Sequence, residues 1–189
     1  MARDSTPPPS AYPTIAAGTL VPLDSVRFPH MSGVRLPSVT HLAYRLDFGP
    51  RWSQGIVDLE PPHVGEPFPA LVSQVDSVGN ELGGIRSVEL LAPVATYFPW
   101  QLRTGCPAAT ERLVSFDGTF VPLPRTEAER RQAGDPRLSL ERLYGGRDAY
   151  LARAAAAARA LVAQRFLLPE DVDAAVNRAR SEWDWIMAR

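Results

Sequence analysis

Apolar and polar residues alternate from His41 to Phe48, where Leu42, Tyr44, Leu46 and Phe48 are separated by Ala43, Arg45 and Asp47. A period of two puts one set of side chains on one face, so the pattern predicts a half-buried strand, stopped by Gly49-Pro50. Two further apolar runs, Ala70 to Val75 and Leu82 to Leu91, flank Asp76-Ser77-Val78-Gly79-Asn80-Glu81. Gly and Asn tolerate the positive φ of a tight reversal, which predicts a β-hairpin there. Pro61-Pro62 and Pro67-Phe68-Pro69 mark an extended surface connection between the two strand regions.

The period changes further along. Thr126 followed by Glu129 forms the signature of a capping box, predicting a short helix that runs through Arg131 to about Gly134. Asp135 and Pro136 predict another turn or two of helix, ending near Gly145-Gly146. From Asp148 to Arg165 the chain is rich in Ala, Arg and Leu, with Tyr150, Ala154, Ala157 and Leu161 spaced for one buried stripe. A last helix starts at Pro169, with Glu170 and Asp171 at its positive end. Its stripe is Val172, Val176, Ala179, Trp183 and Ile186. Joined through Phe166-Leu167-Leu168, the two predict an antiparallel helical hairpin.

Proline divides these two regimes, because all of the 19 prolines except Pro136 and Pro169 precede residue 125. Each removes a backbone donor and fixes φ, so the front is built of extended segments and turns while the back is free to be helical. The expected class is α+β. Residues 1–40 form a Pro-rich extended lead-in, 41–124 a region of short strands with the β-hairpin, and 125–189 a helical C-terminal region, all within one structural unit. The aromatic loop from Tyr97 to Trp100 is expected to form part of an apolar face that needs covering.

Composition then narrows the chemistry. At 189 residues, 45% hydrophobic and 22% charged, the chain has the make-up of a globular unit. Its 20 cationic residues are all Arg, which excludes a phosphate-loop Lys, a Schiff-base Lys and a Ser-Lys dyad. A net charge of -1 with both signs interleaved leaves no footprint for nucleic acid or an anionic membrane. Cys106 is the single cysteine, so no internal disulfide or multi-Cys zinc site can form. The start, MARDSTPPPSAYPT, lacks the apolar run of a secretion signal, and Tyr150 to Leu168 is interrupted by Arg153, Arg159 and Arg165. The expected location is therefore cytoplasmic.

Candidate nucleophiles are few. No Gly-x-Ser-x-Gly elbow occurs; Ser38, Ser53 and Ser73 stand in ordinary loop or strand contexts, and Cys106 lies in a turn-like Gly-Cys-Pro stretch. His30, His41 and His63 have neither helical pairing nor a zincin motif, so no metal or other cofactor is expected. Asp58, Glu60 and Glu66 near His63 read as an exposed turn around Pro61-Pro62, and Asp76 to Glu81 lacks the ligand alternation of a calcium loop. The densest aromatic-polar run is Val94 to Arg103. Tyr97, Trp100 and Arg103 are the candidate substrate-binding residues there, since flat rings and a guanidinium suit a pocket; the same aromatics could instead plug the seam between strands and helices.

Several strings occur in an order that carries a resemblance: P-P-P-S-A-Y-P, G-T-L-V-P, H-L-A-Y-R-L-D-F-G-P-R-W-S-Q-G-I, V-D-S-V-G-N-E-L-G-G-I-R, A-T-Y-F-P-W-Q-L-R and G-D-P-R-L-S-L-E-R-L-Y. Over most of residues 7 to 175 the chain resembles the C-terminal region of the bacterial "alpha/beta hydrolase domain" family. The resemblance implies an ester or amide hydrolase lineage whose longer relatives carry an upstream α/β-hydrolase core with the nucleophile elbow. It implies that this chain is a C-terminal fragment, non-catalytic alone, which lies across such a core and shapes its substrate entrance. The chain departs from the family pattern at Phe98-Pro99, where relatives read Thr-Gly, and at Gln101, where they read Asn. Two other readings stand beside this one: an independent interaction module whose helical hairpin binds a separate hydrolase or another protein, and a small complete esterase using Cys106 or an unassigned serine with one of the three histidines. A core domain or self-association are the partners these readings imply.

Overall fold

The computed structural model describes residues 7–37, 42–103, 112–114 and 117–189. Strands and helices follow one another as β1 (Leu20–Pro22), β2 (Tyr44–Asp47), β3 (His63–Pro67), β4 (Leu71–Ser73), α1 (Val88–Leu91), β5 (Ala95–Phe98), β6 (Thr119–Pro122), α2 (Glu127–Ala133), α3 (Leu140–Tyr144), α4 (Arg147–Ala163) and α5 (Val172–Met187). The class is α+β. Every strand pair is antiparallel: β1 with β4, β2 with β3, and β5 with β6.

The helical hairpin forms as its pattern predicts, with small adjustments at its ends. Tyr150, Ala154, Ala158 and Leu161 are the buried residues of α4, so the stripe runs through Ala158, with Ala157 half-buried beside it. Alanines there let α5 approach closely, and Ala179, Trp183 and Ile186 fill the other side. Trp183 stacks on Tyr150 with centroids 4.9 Å apart. Arg147 at the start of α4 forks onto Asp184 near the end of α5, with both hydrogen bonds 2.8 Å long, as antiparallel helices require. Helix α4 ends at Ala163, short of the expected Arg165, because Arg165 takes a left-handed φ of 67° and Phe166 donates back to the Leu161 carbonyl. Pro169 opens a 3₁₀ turn that leads into α5.

Thr126 caps α2 by accepting from Glu129 N–H at 3.1 Å, and Gly134 closes it in the left-handed conformation. Glu129 turns back one residue further than a capping box would, to Arg125 N–H at 3.0 Å. The helix expected from Asp135-Pro136 starts instead at Leu140, capped by Ser139. Residues 135–139 stay outside any helix, with Arg137 drawn inward, 3% exposed, to Asp135, Thr96 and the carbonyls of Val121 and Pro122.

The front departs further from expectation. The reversal at Asp76–Glu81 is present, with Asp76 accepting from Val78 and Asn80 N–H at 3.1 and 3.0 Å. Its arms are short: a bridge pairs Val75 with Glu81, but β4 continues against β1, with Val72 opposite Val21, and Val88–Leu91 is helical rather than strand. Gly83 lies so close to Pro13 that a Cβ would fall 2.4 Å from the proline Cβ, so the lead-in closes over this arm. The proline-flanked connection contains β3, which pairs with β2 to make a ribbon that stays exposed among the described residues. Leu46, Val64 and Trp52 are 50%, 58% and 55% exposed, so β2 is an exposed strand and not a half-buried one. His41, the first residue of that expected strand, lies outside the described residues.

The core sits between α1, α3, α4, α5 and the β5–β6 pair, and holds Val78, Val94, Leu123 and Leu140 beside the hairpin residues. Among the described residues no helix is long and apolar enough to cross a membrane.

Candidate functional site

Strand β5 presents the aromatic segment, and the alternation of a strand decides where each side chain goes. Thr96 and Phe98 face the front of the molecule; Tyr97 faces the last helix. Thr96, fully buried, donates to the Val78 carbonyl and accepts from Arg137 at 2.9 Å. Asn80, also fully buried, lies along the strand like an extra peptide group, donating to the Ala95 carbonyl at 2.9 Å and accepting from Tyr97 N–H at 2.8 Å. The turn before it needs glycine at residue 79, where φ is +87° and a Cβ would fall 2.8 Å from Thr96 Cγ2. Phe98 and Trp100 stack at 4.8 Å, and Phe28 meets both rings, at 5.5 and 5.6 Å. Trp100 is pinned at both ends, its indole N–H donating to the Arg35 carbonyl at 3.3 Å and its carbonyl accepting from Thr119 at 2.7 Å.

Two cavities meet at this ring stack. The larger, about 350 Å³, is lined by Arg35, Trp100, Gln101, Arg103 and Thr119, with Gly118 at its wall. A side chain at Gly118 would place Cβ 2.8 Å from the Phe98 carbonyl, so glycine keeps β6 close to β5 there. The smaller, about 120 Å³, lies between the rings and the β1–β4 pair and is lined chiefly by Val26, Phe28, Val72, Val75, Phe98 and Trp100.

The three residues singled out by sequence are therefore placed differently. Trp100 borders both cavities and Arg103 the larger one, where it is exposed. Tyr97 contributes to the smaller cavity, while its hydroxyl donates to Glu182 of α5 at 3.0 Å and its ring packs edge-on against Phe120. Burial, reinforced by the charge of Glu182, pushes the Tyr97 phenol far above its ordinary range, so it acts as a neutral donor. Burial also raises the Glu182 carboxyl. Phe98 is 5% exposed and Tyr97 and Trp100 are half-buried, which corrects the expectation of an uncovered aromatic face: these rings close the seam between strands and helices, and Phe98 with Trp100 also walls the cavities.

The candidates for covalent chemistry do not converge among the described residues. His30 and His63 are exposed, the latter on β3; Ser53 lies in a 3₁₀ turn and Ser73 on β4. Cys106, Ser38 and His41 lie outside the described residues. Asp58 is engaged by Arg51, which hydrogen-bonds it through Nε at 2.8 Å and holds its carboxyl below the usual range. Among the described residues no group of His, Cys, Asp and Glu is arranged to hold a metal ion.

Sequence reasoning missed Asn80, Arg137 and Phe28. Asn80 stood in view as a turn former, and nothing in its spacing marks it as a strand-edge partner. Arg137 follows Asp135-Pro136, a pairing that reads equally as a helix start.

Residues 2–177 match the alpha/beta hydrolase domain family, and the chain belongs to it. No curated protein and no solved structure matches it.

Proposed function

We propose that this chain is an accessory segment of the alpha/beta hydrolase lineage, which lies on a hydrolase core and does not turn over substrate alone. The observation that carries the reading is the β2–β3 ribbon. A two-stranded ribbon is marginal in water by itself, yet this one carries Tyr44, Leu46, Val64 and Phe68 exposed along its length, and Trp52 stacked on Phe48 at its tip. Its hairpin loop is nonetheless well braced by the Arg51–Asp58 pair and by Gly49, where a Cβ would fall 2.5 Å from Asp58 Cβ. A shaped apolar ribbon projecting from a formed core is suited to a partner surface. Family membership makes a hydrolase core the partner of choice.

One sequence feature supports the non-catalytic part: the chain has no Gly-x-Ser-x-Gly elbow, the turn that presents the nucleophile of an α/β-hydrolase to its base. On this reading the aromatic segment with Trp100 and Arg103 faces the substrate entrance of the assembled protein. Its internal packing against α5 and the β1–β4 pair suits a rigid wall better than a mobile lid. The helical hairpin is less suited to docking, since its buried stripe is spent on α1, α3 and the strands.

The test is ester turnover. The purified chain should hydrolyse nitrophenyl acetate at the buffer rate, and should bind a separately produced core from a family member that carries the nucleophile elbow. Saturable turnover abolished by Cys106→Ala or by a single serine substitution would overturn the reading.

A further inference from the structure

We infer that the smaller cavity is a binding site for a small apolar group, a benzenoid ring or a short branched alkyl chain. The inference goes beyond the docking reading and does not depend on it, since every wall of the cavity belongs to this chain. At about 120 Å³ the space matches a single six-membered ring or a four- to six-carbon chain and is too small for a sugar or nucleotide.

Its chemistry selects the ligand. Phe28, Phe98 and Trp100 supply flat faces and edges at fixed angles, with Phe98 and Trp100 stacked 25° from parallel and Phe28 tilted 74° and 53° to them. The opposite wall is Val26, Val72 and Val75. Of the polar groups among the lining residues, the Tyr97 hydroxyl and the Trp100 indole N–H are already spent on Glu182 and on the Arg35 carbonyl, which leaves Ser73 and Glu81, too few to satisfy a polar guest or to hold a water cluster.

The walls are also held in place before any ligand arrives. Trp100 is tied through Arg35 and Thr119. Val72 lies in register with Val21 across the β1–β4 pair, and Gln74 beside it braces the lead-in by accepting from Arg27 N–H at 2.9 Å and donating to the Ser25 carbonyl at 3.1 Å. A guest therefore meets a preformed apolar site and loses little affinity to reorganisation.

The test uses the full chain, methyl-labelled at valine, titrated with benzene and with isobutane-saturated buffer, and with glycerol as a polar probe of similar size. The expected result is saturable shifts confined to Val26, Val72 and Val75 with a Kd on the order of 1 mM, well within the affinity a ligand of six heavy atoms can reach. Glycerol should leave those methyls unmoved. Val72→Phe, which fills the cavity from the strand side, should weaken benzene binding at least tenfold. Should that variant not fold, Val26→Phe on the lead-in makes the same test from the other wall. Non-saturating shifts, shifts spread equally over Val57 and Val64 of the exposed loop and ribbon, or unchanged binding in a folded cavity-filled variant would each overturn the assignment.

Discussion

The phenol of Tyr97 donates to the Glu182 carboxylate across 3.0 Å, and this bond joins the middle of β5 to the last helix. It is the polar counterpart of the apolar contacts that hold the strand pair against the helical hairpin. Burial raises the Glu182 carboxyl, the nearby charge of Glu89 adds to the rise, and Tyr97 and Arg178 work against it.

A carboxyl raised on folding makes the native state the one that binds the extra proton. Stability should therefore fall as pH rises from the ordinary glutamate value of 4.5 through the folded value. Glu182→Gln keeps an acceptor for Tyr97 and removes the titration, so its thermal midpoint should exceed the wild-type midpoint near neutrality and converge with it in acid. Midpoint curves that stay parallel across the acid range would contradict this. Tyr97→Phe, which takes this donor from the half-buried carboxylate, should cost about 1 kcal/mol.

Asp135 titrates with the opposite sign. Burial tends to raise its carboxyl, but the hydrogen bonds and charge of Arg137 outweigh it and hold the pKa below the ordinary 3.8. Its contribution is present above that value and is lost as pH falls through the folded pKa. Arg137→Leu should cost about 3–5 kcal/mol in urea unfolding, because it leaves the carboxylate, Thr96 and two strand carbonyls without their donor. Arg137→Lys should recover only part of that, since an ammonium cannot fork to four acceptors. An unchanged midpoint in either variant would remove Arg137 from this role.

The helical half was legible because its information is local. Thr126, Gly134 and Gly145 punctuate helices by capping chemistry that acts within a few residues, and the Trp183 stripe repeats at helical spacing; the start of α3 at Ser139 was not legible, because Asp135-Pro136 carries an equally good local start signal. The strand half was not, because its pairings are distant. Nothing near Leu71 says that its partner is Pro22 rather than a residue of the next apolar run, and β6 pairs with β5 across some twenty residues. Tyr44 and Leu46 show the limit of periodicity: alternation locates a strand but does not say whether anything covers its apolar face. The aromatic segment was visible as a site of interest, while the division of Tyr97 from Phe98 and Trp100 between two faces follows from the register of β5.

Trp183 carries the most packing in the hairpin, stacked on Tyr150 and edge-on to Tyr144. Trp183→Ala should cost about 3–5 kcal/mol, as large core truncations do. Val176, half-buried on the same helix, should tolerate alanine at about 1 kcal/mol. Equal costs at the two positions would mean that the stripe is mis-assigned.

Leu46→Glu and Val64→Glu place charges on the ribbon, where both residues already face solvent. Each should change the stability of the chain by less than about 0.5 kcal/mol and yet weaken binding to a hydrolase core. A large loss of stability would show that the ribbon is covered from within.

Backbone amide exchange over Tyr44–Asp47 and His63–Glu66, measured with and without a hydrolase core of the family, tests the accessory reading most directly. The chain alone should exchange these amides quickly, and the complex should slow them by roughly tenfold or more while α4 and α5 are unaffected. Ribbon amides that exchange at the same rate in a complex known to have formed would contradict it.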